Sequence, residues 1–293
     1  FLQLIRNFYV LYIKFAMQID NKSNNVIITG GTQGLGLSIA KNLILNGCKN
    51  LLLLGRDEEK GLKAAKHLNN KEVNCIYKKC DVSVVEDCKN AFDYGVNKFG
   101  IVNSLINVAA VTTRGSILDT SIDLWEEHMN TNLRGPFILI QSLAKHLIDL
   151  NKSGSIVNIL STSAYVGQSI LMPYSVSKGG LITLTKNAAN SLKKNKIRVN
   201  GVAPGWMDTP GEHKIQKEFH NASDNWLEEA EKKLPFNQLV KTSEISPLIC
   251  YLISKSSGII TGAIIDYDQY ITVSYTHLRA HETPEHRVFP SVV

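Results

Sequence analysis

The chain has 293 residues, 44% of them hydrophobic and 20% charged, with a formal net charge of +6. That balance fits a soluble globular protein with room for a substantial core. Lys and Arg are spread along the sequence without a concentrated basic stripe, so nucleic acid is not an expected partner.

The opening stretch FLQLIRNFYVLYIKFA is apolar, but it is interrupted by Arg6 and Lys14 and is too short for a membrane span of roughly 20 residues. Residues 1–16 are expected to be a non-native or disordered extension, with Met17 opening a domain that runs to about Val273. Residues 274–293 include SYTHLRAHETPEH, which lacks apolar periodicity and is similar to a translated sequencing adapter. A non-native tail is expected there, with a disordered native extension as the alternative.

Within residues 17–273, apolar runs at 26–30, 50–55, 74–82, 102–109, 154–161, 196–204 and 262–267 predict seven strands. Periodic stretches at 35–46, 58–68, 84–99, 122–150, 174–192 and 243–253 predict the helices between them. Near-continuous apolar strands alternating with helices point to a parallel sheet covered on both faces. The expected fold is a single-domain α/β protein with a doubly wound, Rossmann-type, seven-stranded parallel sheet. The longest irregular stretch, 205–226, follows the sixth strand and is expected to act as a lid over a substrate. Cys48, Cys75, Cys80, Cys88 and Cys250 fit no C-x-x-C or zinc spacing. They are expected to be small buried residues in a reducing, cytoplasmic compartment, and no metal is expected.

The segment TGGTQGLG, residues 29–36, lies between the first strand and the first helix. Gly30, Gly34 and Gly36 permit a tight turn and let backbone approach a pyrophosphate at a helix N-terminus, so a nucleotide is expected there. At the end of the second strand an acidic residue would bind ribose hydroxyls and favour NAD. The chain instead has Gly55 followed by Arg56, whose guanidinium can pair with a 2′-phosphate and favours NADP. Asp57, one residue on, keeps NAD open, and Arg56 as a solvated loop residue is the plainer reading. Asp81, after the third strand, either accepts from an adenine amino group or shapes a turn.

Tyr174 and Lys178 are four residues apart and share a helix face. Lowering a tyrosine pKa from about 10 by about three units takes about 4 kcal/mol. An ammonium about 5 Å away supplies roughly 3 kcal/mol at an effective dielectric near 20. Alone, the spacing is better read as a surface helix. Ser161, at the end of the fifth strand, changes that: a hydroxyl there faces the ligand crevice and can hold a substrate oxygen against the tyrosine, although it can also cap the following turn.

TGGTQGLG, INVAA, NTNLRGPF, SIVNILS, YSVSK and IRVNGVAPGWMDTP, in order across about residues 24–268, together resemble the short-chain dehydrogenase/reductase family. The resemblance implies an NAD(P)-dependent oxidoreductase that moves a hydride between nicotinamide and a secondary alcohol or ketone. It implies Tyr174 as catalytic acid/base, Lys178 as its activator, Ser161 as substrate positioner and Asn132 in a proton relay, where local hydrogen bonding is the alternative. The residues expected to line the cofactor are Gly30, Thr32, Gln33, Gly34, Leu35, Gly36, Arg56, Asp81, Val82, Asn107, Ala109, Tyr174, Lys178, Pro204, Gly205 and Thr209. The chain departs from the family pattern at Asn107, Val108, Ala109 and Ala110, where Asn-Asn-Ala-Gly is usual, and at IDYDQY, where Asp-Gly-Gly is usual.

The expected substrate is a sugar, polyol or other small polar molecule, because the lid combines Trp206, Asp208, Glu212 and His213 with few aliphatic residues. The segment GWMDTPGE also resembles family members assigned to sugars or polyols. The alternative is a 3-oxoacyl-(acyl-carrier-protein) reductase, which would carry a basic patch for its carrier. A nonenzymatic nucleotide sensor on the same fold is a third reading, disfavoured by the presence of Tyr174, Lys178 and Ser161. By resemblance, Phe137, Ile138, Leu139, Leu181, Ile182 and Leu184 lie on helices that form homodimer or homotetramer interfaces.

Overall fold

The computed structural model describes residues 19–271, so the extensions expected at 1–16 and 274–293 lie outside the described residues. The strands are β1 (Asn25–Thr29), β2 (Asn50–Gly55), β3 (Asn74–Lys79), β4 (Ser104–Asn107), β5 (Gly154–Ile159), β6 (Ile197–Pro204), β7 (Met207–Asp208), β8 (Val240–Lys241) and β9 (Ile264–Tyr267). Seven of them form a sheet in the order β3-β2-β1-β4-β5-β6-β9, with every pairing parallel. The seven-stranded parallel sheet expected from the sequence is therefore present, accompanied by a small β7-β8 pair that the apolar pattern did not predict.

The helices are α1 (Gly34–Leu45), α2 (Glu58–Leu68), α3 (Val85–Phe99), α4 (Ile122–Met129), α5 (Gly135–Asp149), α6 (Met172–Leu192), α7 (Pro210–His220), α8 (Trp226–Glu231) and α9 (Thr242–Ile253). Successive strand side chains point to opposite faces, and both faces are apolar here. Val26 and Ile28 pack with Leu35, Ile39 and Leu43 of α1 and Ile245 and Ile249 of α9. Ile27 faces the other way, into a core with Phe92 of α3 and Leu139, Leu143 and Leu147 of α5. From β1 the chain winds outward to β2 and β3, then returns to place β4 on the other side of β1. That reversal opens a crevice beyond the carboxyl ends of β1 and β4, where doubly wound sheets bind ligands.

The differences from the sequence reading bear on that crevice. β3, β4 and β5 end earlier than their apolar runs, at Lys79, Asn107 and Ile159, so Asp81, residues 108–110 and Ser161 leave the ladder at the crevice edge. The single helix expected over 122–150 is interrupted by a π-helical turn, Asn130–Arg134. Pro136 has no N–H to donate to the Asn132 carbonyl, and that missing bond falls within this irregularity. The 205–226 stretch is largely ordered, comprising β7, α7 and the start of α8 rather than an irregular loop. Three residues expected at an oligomer interface, Ile138, Leu139 and Leu181, are buried within the chain itself, whereas Phe137 is 45% exposed. All five cysteines are buried and free. Among the described residues, no helix is long and apolar enough to cross a membrane, and no group of three or more His, Cys, Asp and Glu residues could hold a metal ion.

Candidate active site

The crevice is a cleft of about 1370 Å³ lined by the loops that follow β1 through β6, together with α7 and the segment after β9. At its phosphate end, Gly30 (φ +63°) and Gly34 (φ +51°) take left-handed backbone conformations that favour glycine. A Cβ on Gly36 would stand 2.2 Å from the Gly30 carbonyl oxygen, so only glycine lets α1 start this close to β1. Gln33 at the α1 N-cap makes no side-chain cap bond, and the first turn carries no acidic residue. Thr32, Gln33, Gly34, Leu35 and Gly36 all line the cleft, forming a glycine cradle at a helix N-terminus suited to a pyrophosphate.

At the end of β2 the two candidate ribose residues separate. The Asp57 carboxylate caps α2, accepting from Lys60 N at 3.0 Å and pairing with its ammonium at 3.2 Å. Arg56 is exposed at the cleft edge. Asp81 also lines the cleft, and its Oδ1 accepts from the Ser83 N–H and hydroxyl at 2.9 and 2.7 Å, the turn-shaping role weighed as its alternative. Val82 lies beside it, with Gly135 packed so closely that a Cβ would stand 2.5 Å from the Val82 carbonyl oxygen.

The loop after β4 is held from two sides. Thr29 Oγ1 accepts from the N–H groups of Val108 and Ala109 at 2.9 and 3.1 Å. Asn132, fully buried in the π-helical turn, accepts from Val111 N at 2.9 Å and donates to Val111 O and Ser177 Oγ, both at 3.0 Å. The Asn132 side chain thus bonds to this loop and to Ser177. Asn107 departs from its expected place: its side chain turns into the core, where Nδ2 donates to Asn158 Oδ1 at 2.8 Å, and it does not line the cleft. The reason is register, since Asn107 is still a strand residue paired with Thr29 and Asn158. Ala109 lines the cleft, its backbone N 3.0 Å from where a Gly30 Cβ would stand.

Tyr174, Lys178 and Ser161 meet in the middle of the cleft. Pro173 in the first turn of α6 starts the helix just before Tyr174, and the i, i+4 spacing carries Lys178 beneath the ring. Lys178 is 2% exposed. Its Nζ lies 5.8 Å from the Tyr174 ring centre and donates to the Ile159 carbonyl at 2.7 Å. Ser161 Oγ is 2.7 Å from Ser163 Oγ and caps the following 3₁₀ turn.

Burial governs this pair. It pushes the Tyr174 hydroxyl up to about 12, against a lowering hydrogen bond with Ser161, and it pushes Lys178 down to about 7. The lowered tyrosine pKa expected from the lysine is thus not what this arrangement produces. Desolvation is the largest influence on Tyr174, and the Lys178 ammonium donates to the end of β5.

Pro204, Gly205 and Thr209 line the far wall. Thr209 Oγ1 caps α7 by accepting from Glu212 N at 3.1 Å. Gly205 lies against Asp268, whose Oδ1 would be 2.2 Å from an added Cβ, and Asp268 Oδ2 accepts from Thr162 Oγ1 at 3.1 Å. Asp268, Arg114 and His220 line the same cleft but were not singled out by sequence reasoning. Asp268 was hidden in IDYDQY. The only signal for Arg114 was its place on a loop after a parallel strand's carboxyl end, where ligand-contacting residues collect.

A doubly wound sheet, a glycine cradle at its switch point and a tyrosine-lysine-serine cluster in the same cleft together define a nicotinamide-dependent oxidoreductase. The family model for short chain dehydrogenases matches residues 24–219. The chain belongs to the short-chain dehydrogenase/reductase family, enzymes that bind NAD(P) and act on CH–OH or ketone groups. It is 37% identical over 183 residues to an uncharacterized oxidoreductase of Thermotoga maritima, covering 62% of this chain and 71% of that protein. It is 29% identical over 259 residues to the 3-oxoacyl-(acyl-carrier-protein) reductase of Chlamydia pneumoniae, covering 87% of this chain and 100% of that protein. Among solved structures, an actinorhodin polyketide ketoreductase with NADPH superposes with a TM-score of 0.77 at 28% identity, covering 84% of this chain and 96% of that one.

Proposed function

We propose that this enzyme oxidises or reduces a small polar substrate, a sugar or polyol, with NADP as the preferred cofactor. The observation that carries the substrate reading is the polar wall of the cleft formed by Arg114, Glu212, Gln216 and His220. Such a wall suits hydroxyl groups, whereas an acyl chain calls for apolar lining. The NADP reading rests on Arg56, which stands at the cleft edge while Asp57 is committed to capping α2.

When bound, the nicotinamide supplies the hydride donor or acceptor. Gly30, Gly34 and Gly36 would admit the pyrophosphate to the α1 N-terminus, and Arg56 would meet the 2′-phosphate. In reduction the Tyr174 hydroxyl gives its proton to the developing alkoxide; in oxidation the Tyr174 phenolate takes the proton of the substrate hydroxyl. Ser161 donates to the same substrate oxygen and holds it against Tyr174. Lys178 holds the floor of the site through Ile159 O and, as an ammonium, favours the phenolate as the proton leaves. Asn132 keeps the loop after β4 in register with α6 through Val111 and Ser177. The exposed Phe137 on α5 and Val176 on α6 suit a homodimer or homotetramer, and the free cysteines suit a cytoplasmic setting.

A second reading, reduction of 3-oxoacyl thioesters, is favoured by the ketoacyl reductases among the relatives. Sugars, polyols and 3-oxoacyl thioesters assayed by nicotinamide absorbance with NAD and NADP separately will decide between them. Polyol or sugar turnover with NADP is expected, and turnover of thioesters alone would overturn the reading.

A further inference from the structure

The polar wall contains an ion pair that the proton-transfer residues do not use. Arg114 stands on the loop after β4 and Glu212 in the first turn of α7, with Nη2 and Oε1 3.7 Å apart, an ion pair too long for a hydrogen bond. Both side chains are only 16% exposed. Both are held by hydrogen bonds from the walls of the cleft, Arg114 by one to α7 itself. Glu212 Oε1 accepts from Trp206 Nε1 at 2.8 Å and from Gln216 Nε2 at 2.7 Å. Arg114 donates from Nη1 to the Thr112 carbonyl at 3.1 Å and from Nε to His220 Nε2 at 3.2 Å. Among the described residues, Arg114 Nη2 and Glu212 Oε2 are left without hydrogen-bond partners. Arg114 and Glu212 line the same cleft as Tyr174.

We propose that Arg114 and Glu212 are specificity-determining residues that together read a hydroxyl group carried by the substrate beyond its reacting carbon. The hydroxyl accepts from Nη2 and donates to Oε2, so the pair requires a group that does both. A methylene in that place would leave two largely buried charged groups unfilled, and a carboxylate would meet the Glu212 charge. Because the two residues sit on different elements, the same hydroxyl ties α7 to the loop after β4. This inference rests on the polyhydroxylated substrate proposed above.

The test uses the full chain with NADP and compares kcat/KM for C4 to C6 polyols and their monodeoxy analogues in the wild type, Glu212→Gln and Arg114→Met. The wild type is expected to prefer a parent polyol over one of its monodeoxy analogues by at least about tenfold. In both variants that preference is expected to fall to within about threefold, mostly through KM, because a hydroxyl can no longer bridge two opposite charges and so gains less over a methylene. NADPH affinity, measured by fluorescence, reports whether each variant keeps its cofactor site, and Glu212→Gln carries the test where Arg114→Met does not fold. An undiminished preference in a variant that binds NADPH normally overturns the pair's role while leaving the polyol reading standing. Wild-type turnover of thioesters with none of polyols overturns both.

Discussion

Lys178 Nζ donates to the carbonyl of Ile159 at 2.7 Å, at the last residue of β5, while lying 5.8 Å from the centre of the Tyr174 ring. The lysine is fixed to the sheet first and to the tyrosine only by proximity. Burial lowers it from its ordinary 10.5 to about 7. Between those two pH values the unfolded chain binds a proton that the folded chain does not, so stability rises with pH across the window. Below about 7 both states are protonated and the cost of burying the charge is fully present. Lys178→Met is therefore expected to flatten the pH dependence of the urea midpoint between pH 7 and 10, measured against the wild type. Parallel curves for the two proteins would show that Lys178 does not titrate in that window.

Tyr174→Phe removes one hydroxyl, whose pKa desolvation pushes up to about 12. Ser161 keeps its partner Ser163 at 2.7 Å, so little reorganisation is expected. Turnover is expected to fall by about 10²-fold or more, the scale of a lost general acid, with NADPH affinity within a few-fold of the wild type. Single-turnover absorbance and fluorescence titration separate the two. Near-normal turnover would remove Tyr174 from the proton-transfer role.

The sheet was legible because its strands are apolar on both faces: Val26 and Ile28 serve one core and Ile27 the other, which leaves a continuous run in the sequence. The glycine cradle was legible because Gly36 has no alternative beside the Gly30 carbonyl. Side-chain direction was not. Asn107 follows strand register into the core, and Asn132 is turned toward Val111 within a π-helical turn that no apolar period announces. Arg114, His220 and Asp268 line one cleft from two loops and the end of α7, a juxtaposition that local pattern does not encode. The raised pKa of Tyr174, where a lowered one was expected, and the lowered pKa of Lys178 come from desolvation, which spacing alone does not report.

Arg56 makes the cofactor preference testable at one position. It is exposed at the cleft edge, and the neighbouring Asp57 carboxylate is held by Lys60. Losing a charged hydrogen bond to a 2′-phosphate corresponds to about tenfold to hundredfold in affinity. Arg56→Ala is expected to weaken NADPH binding by that amount while leaving NADH within about twofold. Fluorescence titration with both cofactors reads the ratio directly, and equal losses for the two would place Arg56 outside the 2′-phosphate site.

Asn132 distinguishes positioning from proton relay. Its three bonds, 2.9 Å from Val111 N, 3.0 Å to Val111 O and 3.0 Å to Ser177 Oγ, are made in full burial. Ser177 passes the link to α6 by donating to the Tyr174 backbone carbonyl at 2.7 Å, not to its hydroxyl. Asn132→Ala leaves the Val111 N–H and C=O without this partner, a cost of about 2–4 kcal/mol in folding stability. The loop after β4 would then lose register with Tyr174, lowering kcat and raising KM together without moving the pH profile. Urea unfolding and a pH profile of kcat check both halves of this expectation. Unchanged stability with a shifted pH profile would mean that Asn132 acts on the proton itself rather than on the loop that shapes the site.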